Sequence, residues 1–304
     1  MNVIIDTDPG IDDALALFFA LNSPELNIKA IVATYGNVRI QQAVRNVLNI
    51  LEVVAPSDIP FVIQGAGHPI RRPLLKKDYR IHGLNGLGNL NLPPPSLKPA
   101  DEELNDIFKK SRDIFLICLG PLTTLAKLIL ANPGVINSLK EIILMGGAVT
   151  VPGNVTQFAE FNIYSDPEAA KIVLHCKIPI TMVGLDVTHQ TLLTENELKL
   201  LDTSVPRFKF IDKICRHYIG FHKKYRRMKG CFLHDPLAVA TAIDRNIVKT
   251  KRLSIDVQTE DKNRLGQTYI KKDGRPNADV CVELDNDRFM KLLRQRIFLR
   301  GSRV

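Results

Sequence analysis

Asp6-Thr7-Asp8-Pro9-Gly10-Ile11-Asp12-Asp13-Ala14 is the stretch that decides the fold. An apolar run over 2–5 precedes it, and an apolar stretch with helical spacing over 14–21 follows it. The segment therefore reads as a strand-to-helix turn with a Pro-Gly pair at its centre. The same alternation continues along the chain. Strands are expected over 28–34, 61–63, 114–119, 141–145 and 180–183, and helices over 41–54, 102–110, 122–130 and 167–175. Buried parallel strands read as continuous apolar runs because helices cover both faces of the sheet. The alternation predicts an α/β fold with a mostly parallel central sheet flanked by helices, a Rossmann-like core.

After Asp186 the pattern changes. Helices are expected over 194–201, where Thr194 and Glu197 make a capping box, and over 206–225, 235–243 and 287–299. Strands over 253–257 and 278–284 flank a polar hairpin. The Gly- and Pro-rich loop over 65–99 is too long to be a mere connection and reads as functional or disordered. No internal repeat or linker divides the chain, so a single domain over 1–304 is expected.

Composition narrows the function classes. Hydrophobic residues make up 45% and charged residues 24%, which excludes wholesale disorder. No apolar run reaches the ~18 residues needed to span a bilayer, and the N-terminus has no basic or apolar leader. Five scattered cysteines without a C-x-x-C pair fit a reducing compartment, and a cytoplasmic location with no membrane partner is expected. The net charge of +9 raises nucleic-acid binding, but the basic residues are scattered and Trp is absent, so no nucleic-acid partner is expected.

Four acids within eight residues, Asp6, Asp8, Asp12 and Asp13, repel one another and call for raised pKa values or a cation. Oxygen donors without nearby thiols or imidazoles favour Ca²⁺ or Mg²⁺. The loop also lies where open α/β sheets build their sites. Helix capping accounts for one or two of these acids, not four. An EF-hand is a poor match, since Leu17 stands where the loop needs its final Glu.

These residues resemble the N-terminal signature of the inosine–uridine preferring nucleoside hydrolase family. Further blocks follow in the family's order: Tyr35-Gly36-Asn37-Val38, then Ile81-His82-Gly83 with Asn85-Gly86-Leu87-Gly88, then Leu144-Met145-Gly146-Gly147. Glu160-Phe161-Asn162-Ile163 precedes Asp166-Pro167-Glu168-Ala169-Ala170, and Gly184-Leu185-Asp186-Val187-Thr188-His189 and His234-Asp235-Pro236 complete the series. The resemblance implies hydrolysis of the N-glycosidic bond of ribonucleosides to ribose and free base. It implies Ca²⁺ as cofactor, held by Asp8, Asp13, Asp235 and the carbonyl of Leu119. It implies Asp8 as the group that takes the proton from water. Asp12, Asn37 and Asn162 would bind the 2′ and 3′ hydroxyls, and Asn154 and Glu160 the 5′ hydroxyl. Phe161 would wall the sugar or base, and His82 and His234 would face the base, with His234 protonating it. A homodimer or homotetramer is the implied assembly, and a small-molecule ribonucleoside the implied partner.

The chemistry agrees with these residue types. An oxocarbenium-like transition state needs negative charge beside the sugar, an activated water and help for the leaving group. Histidine is the side chain most easily tuned to give a proton near neutral pH. Asn37 and Asn154 also fit plain turn positions, and Asp166 before Pro167 fits an N-cap. Asp186 reads as structural, and Asp6 as orienting the loop through backbone N–H groups. His175, His189, His217 and His222 read as surface or packing residues. The basic segment 221–227 falls at the base end without a legible specificity pattern, so pyrimidine, purine or mixed preference stays open, with a lean to pyrimidine or mixed inosine–uridine substrates. Two other readings compete. A haloacid-dehalogenase-type phosphatase would share Asp6-Thr7-Asp8, but Gly10 stands where that motif needs Thr or Val. A non-catalytic nucleoside or ribose binder would keep the fold.

Overall fold

Eight strands form the central sheet: β1 (Asn2–Thr7), β2 (Asn27–Ala33), β3 (Phe61–Gln64), β4 (Ile114–Cys118), β5 (Leu139–Met145), β6 (Ile180–Val183), β7 (Val248–Leu253) and β8 (Ala278–Leu284). Their spatial order is β3-β2-β1-β4-β5-β6-β8-β7. All neighbours pair in parallel except β7, which runs antiparallel to β8 at one edge. The computed structural model that shows this describes residues 1–299, the side chains of 135 and 136 excepted. Of the single domain expected over 1–304, residues 300–304 lie outside the described part.

The helices that matter for the site are α1 (Ile11–Leu21), α2 (Ile40–Val54), α3 (Leu104–Lys110), α4 (Thr123–Ala131), α5 (Pro167–Leu174), α6 (Pro206–Phe221), α7 (His234–Ile243) and α8 (Asn286–Leu293). They divide between the two faces of the sheet because successive strand residues point to opposite sides. In β1, Val3 and Ile5 pack with α1, α2, α6, α7 and α8, while Ile4 packs with α3, α4 and α5. In β5, Ile143 and Met145 join the first core, and Ile142 and Leu144 the second. This is the expected α/β class with helices on both faces. Among the described residues no helix is long and apolar enough to cross a membrane.

Local chemistry fixes the helix starts. Gly10 opens α1, and the Asp13 carboxylate at the third position accepts from the Gly10 N–H. Asp166 caps α5 with Pro167 at its first position, as expected. Thr194 and Glu197 form the expected capping box. Gly147, just after β5, sits at φ +84, a left-handed conformation that favours glycine.

Four expected elements differ. The strand expected over 253–257 is split at Ser254, whose carbonyl accepts from Lys271 N–H. Leu253 ends β7, whereas Ile255–Val257 leaves the main sheet and pairs with Thr268–Ile270. The helix expected over 194–201 is one turn, Glu195–Leu198, and that over 206–225 changes at His222 from α6 to a π-helical turn, His222–Arg226. The closing helix makes the same change at Arg294. Hydrophobic spacing cannot distinguish a π turn from a further α turn, because the two differ by one residue per turn.

The long loop 65–99 is tied down by side chains rather than by ladders. Ile70 N–H donates to Asp166 Oδ2 at 2.9 Å, and Thr123 Oγ1 donates to the same oxygen at 2.7 Å. Arg72 forks onto Glu168 and reaches the Thr259 carbonyl. Asp166 therefore serves α5, α4 and the loop together. Asp166→Ala is expected to destabilise the protein by about 2 kcal/mol, since it strips partners from buried donors. Denaturant unfolding measures the loss, and limited proteolysis should show earlier cutting between 66 and 99.

Candidate active site

The strand order places a switch point between β1 and β4, whose connections run to opposite sides of the sheet. Ligand sites in open α/β sheets form outside the carboxyl ends of strands at such a point. Asp6 on β1 pairs in register with Cys118 on β4. Asp8 lies just beyond β1, and Leu119-Gly120 just beyond β4. The Asp8 carboxylate is held between two glycines: a Cβ on Gly36 would fall 1.9 Å from its Oδ2, and one on Gly120 2.7 Å from its Oδ1.

Asp13 is fully buried beside it. Its Oδ1 accepts from Thr7 Oγ1 at 2.6 Å and from Asp8 N–H at 3.1 Å, and its Oδ2 from Gly10 N–H and the Asn37 amide. Asp12 turns the other way. Its Oδ2 accepts from the N–H groups of His234 and Asp235 at 2.9 and 3.0 Å, capping α7 from across the chain. That brings Asp235 against Asp13 and Asp12. Burial, reinforced by mutual repulsion, pushes the carboxyls of Asp8, Asp12 and Asp235 well above the ordinary carboxylate range. Asp6 is also pushed up by burial, and Thr124 is its side-chain partner. Its expected role of gathering backbone N–H groups is not what is found: its Oδ1 is buried and unpartnered.

Among the described residues no three His, Cys, Asp or Glu side chains form a ready coordination shell. The oxygens of Asp13 and one oxygen of Asp12 are instead occupied by N–H and O–H donors. The donor set nonetheless suits a hard divalent cation. It is all oxygen, it carries surplus buried negative charge, and Oδ1 of Asp12 is a buried acceptor with no partner.

Asn162 reaches from the turn Phe161–Ser165 and donates to the Leu119 carbonyl at 2.6 Å and to that of Met145 at 3.1 Å. It joins the ends of β4 and β5. Glu160 caps that turn, accepting from the N–H groups of Gly147, Asn162 and Ile163. Burial raises its pKa, and these bonds oppose the rise. Asn154 accepts from Phe161 N–H at 2.9 Å.

A cavity of about 720 Å³ opens above these groups. Asp12, Asn37, Leu119, Asn154, Glu160, Phe161, Asn162 and Asp235 line it, together with His82 and His234. Asp8 and Asp13 lie beneath the lining. Ten of the twelve residues predicted for the site thus face one cavity, with two below it.

His82 Nδ1 accepts from Ile11 N–H at 3.0 Å and its ring stacks on Tyr218. An N–H can only donate, so this bond places the neutral ring's proton on Nε2. His234 Nδ1 lies 2.8 Å from Thr188 Oγ1. Desolvation, with repulsion between neighbouring imidazoles, pushes both His82 and His234 down to about 3. Both are neutral at pH 7.

The sequence reads His189 and His222 as surface or packing residues; they do pack, and they also stand at the cavity. Both line the cavity, His189 stacked on Phe232 and His222 donating from Nδ1 to the Tyr218 carbonyl. Within 221–227, the π-helical turn keeps His222 and Arg226 at the cavity, while Lys223 pairs with Glu195 on the surface. His175 pairs with Asp256 away from the site, and Asp186 holds the backbone of Val149 and Thr150, both structural as expected. Sequence reasoning missed Lys77, Tyr164, Tyr218 and Phe232, which also line the cavity. Tyr218 had a signal in the helical spacing Tyr218-Phe221-His222. Lys77 had none.

Comparison with known proteins agrees with this architecture. The model of the family described as inosine-uridine preferring nucleoside hydrolase matches residues 3–291. The chain is 36% identical to a pyrimidine-specific ribonucleoside hydrolase RihA of Salmonella paratyphi B over 306 residues, covering 97% of each. It is 35% identical to a probable uridine nucleosidase 2 of Arabidopsis thaliana, again with 97% of each covered. Among solved structures it is similar to a purine-preferring ribonucleoside hydrolase from Gardnerella vaginalis, with TM-score 0.90, 35% identity and 98% of each chain covered.

The raised carboxyls give a pH signature. A carboxyl whose folded pKa lies above its unfolded value keeps its proton better in the folded state, so stability falls as pH rises from about 4 through the folded pKa. In chelator, Asp235→Asn removes one such group and offers Asp13 a donor. Its melting temperature is expected to exceed wild type by several degrees at pH 7.5 and to match it near pH 4. Thermal melts at both pH values check this.

Proposed function

This chain belongs to the inosine-uridine preferring nucleoside hydrolase family, enzymes that hydrolyse N-glycosidic bonds of nucleosides, and on that premise we propose that it converts ribonucleosides, pyrimidine ribonucleosides best, to ribose and free base with Ca²⁺ as cofactor. The observation that carries this reading is the gathering of Asp8, Asp12, Asp13 and Asp235, from opposite ends of the sequence, at the floor of one cavity whose other wall is histidine and aromatic.

Each group takes a role that its surroundings favour. Asp8, clamped by Gly36 and Gly120, takes the proton from the attacking water. The buried negative charge of the cluster steadies the positive charge that grows on the sugar as the bond to the base breaks. Asp12 accepts from a ribose hydroxyl at its free Oδ1, with Asn37 and Asn162 beside it. Asn154 and Glu160 border the 5′ side, and Phe161 walls the sugar. Asp8, Asp13, Asp235 and the Leu119 carbonyl would hold Ca²⁺, which when bound supplies a lowered water pKa and an anchor for the ribose diol. At the base end His82 offers a fixed Nε2–H to an acceptor on the base. His234, its ring set by Thr188 and neutral at rest, gives the departing base a hydrogen bond, and it can pass the base a proton only as it takes one up in turn.

Pyrimidine preference is supported by the names of the RihA and uridine nucleosidase relatives and by the fixed donor of His82, which suits the carbonyl beside a pyrimidine's glycosidic nitrogen. A cytoplasmic homodimer or homotetramer belongs to the same reading, on family resemblance and on five unpaired cysteines.

Three measurements test the proposal. A panel of uridine, cytidine, inosine, adenosine and guanosine, assayed for free ribose, is expected to show the first two turned over fastest; purines ahead would reverse the preference. With uridine, Asp8→Asn should lower kcat at least ~10²-fold with a smaller change in KM. The many hydroxyl-directed groups should also exclude 2′-deoxyuridine by a factor of ~10⁴, since a missing hydroxyl leaves buried polar groups unpaired. Equal turnover of uridine and 2′-deoxyuridine would remove Asp12 and the metal from sugar recognition.

A further inference from the structure

The loop 65–99 carries a cation that this chemistry does not use. Lys77 is half-buried on the cavity wall, and its Nζ donates to the carbonyl oxygen of Gly36. The peptide unit that follows Gly36 presents its N–H, that of Asn37, to Oδ2 of Asp8 at 2.6 Å. Ammonium, peptide and carboxylate therefore stand in one line, Nζ–H···O=C–N–H···Oδ2. A peptide whose carbonyl accepts from a cation is polarised, and its N–H becomes a stronger donor. Glycine at position 36 makes the line possible, because any Cβ there would occupy the place of the Asp8 carboxylate.

We propose that Lys77 is a positioning residue for Asp8, acting through the Gly36–Asn37 peptide to hold the carboxylate in one orientation and to offset the repulsion it meets from its neighbours. The proposal rests on the reading of Asp8 as the water-activating group. Asp8 is repelled by Asp13 and Asp6 and attracted by Lys77. A lysine bonded directly to Asp8 would fill the space that water and sugar need. One peptide removed, the charge still acts on the carboxylate and the cavity stays open. The same bond pins the loop to the end of β2 five residues before His82, so carboxylate and base-end donor are set by one contact.

The test compares Lys77→Met and Lys77→Arg in the full chain. In protein labelled with ¹⁵N-asparagine, the Asn37 amide proton is expected far downfield in the wild type. It should move upfield in Lys77→Met and stay in place in Lys77→Arg. On uridine, Lys77→Met should lower kcat about tenfold or more, the scale on which outer-shell partners act, with little change in KM. Lys77→Arg should keep most of the rate. An unmoved Asn37 resonance in Lys77→Met overturns the proposal. So does a rise in KM at unchanged kcat, which would make Lys77 a latch for the loop and nothing more. The resonance needs no substrate, so a wild-type protein inactive on ribonucleosides would defeat the functional reading while the amide shift still decided the role of Lys77.

Discussion

Crowded buried carboxylates are the constraint around which this molecule is arranged. Asp8, Asp12, Asp13 and Asp235 repel one another in a region that water does not reach freely. Removing such charges from water costs several kcal/mol each unless hydrogen bonds or opposite charges compensate. The compensation comes largely from main-chain N–H groups: Asp8 and Gly10 to Asp13, Asn37 to Asp8, His234 and Asp235 to Asp12. These five donors come from three separate parts of the chain. The end of β1, the end of β2 and the start of α7 must therefore meet at one point, and the strand order β2-β1-β4 delivers them there.

Capping and site-building are the same act in this arrangement. Asp13 completes the first turn of α1 and also receives Thr7, Asp8 and Asn37. Asp12 caps α7, which has no side-chain cap of its own, and in doing so positions Asp235 and His234. The rigid ends of two helices thus fix the geometry of acidic groups whose mutual repulsion would otherwise spread them apart. The positive ends of both helix dipoles add to the compensation.

The cavity is divided by chemistry. Its floor is acidic and rich in amide side chains, suited to hydroxyl groups and to developing positive charge. Its far wall is built from His82, His189, His222 and His234 with Tyr218, Phe221 and Phe232. Burial, with repulsion from neighbouring imidazoles, keeps His82 and His234 neutral, so these two offer aromatic surface and directed N–H groups rather than charge. The loop 65–99 spans both regions, with Lys77 bonded behind the acidic floor and His82 in the aromatic wall.

The sequence by itself determined the α/β class, the positions of the sheet's parallel strands to within a few residues, and the set of acids, amides and two histidines that face the cavity. Those features are local: apolar runs report burial on both faces, and Pro-Gly among four aspartates is improbable as a cap alone. Tertiary structure decided the rest. No local pattern tells Asp12 to cap a helix more than two hundred residues away, or separates Asp12 from Asp13 in direction. The split of the strand at Ser254 and the π turn at His222 depend on what the backbone finds to bond with, not on hydrophobic spacing. His189 and His222 looked like packing residues because their role comes from the neighbours that surround them in space. Lys77 belongs to a loop with no periodicity, and only the folded chain brings its ammonium to the Gly36 carbonyl.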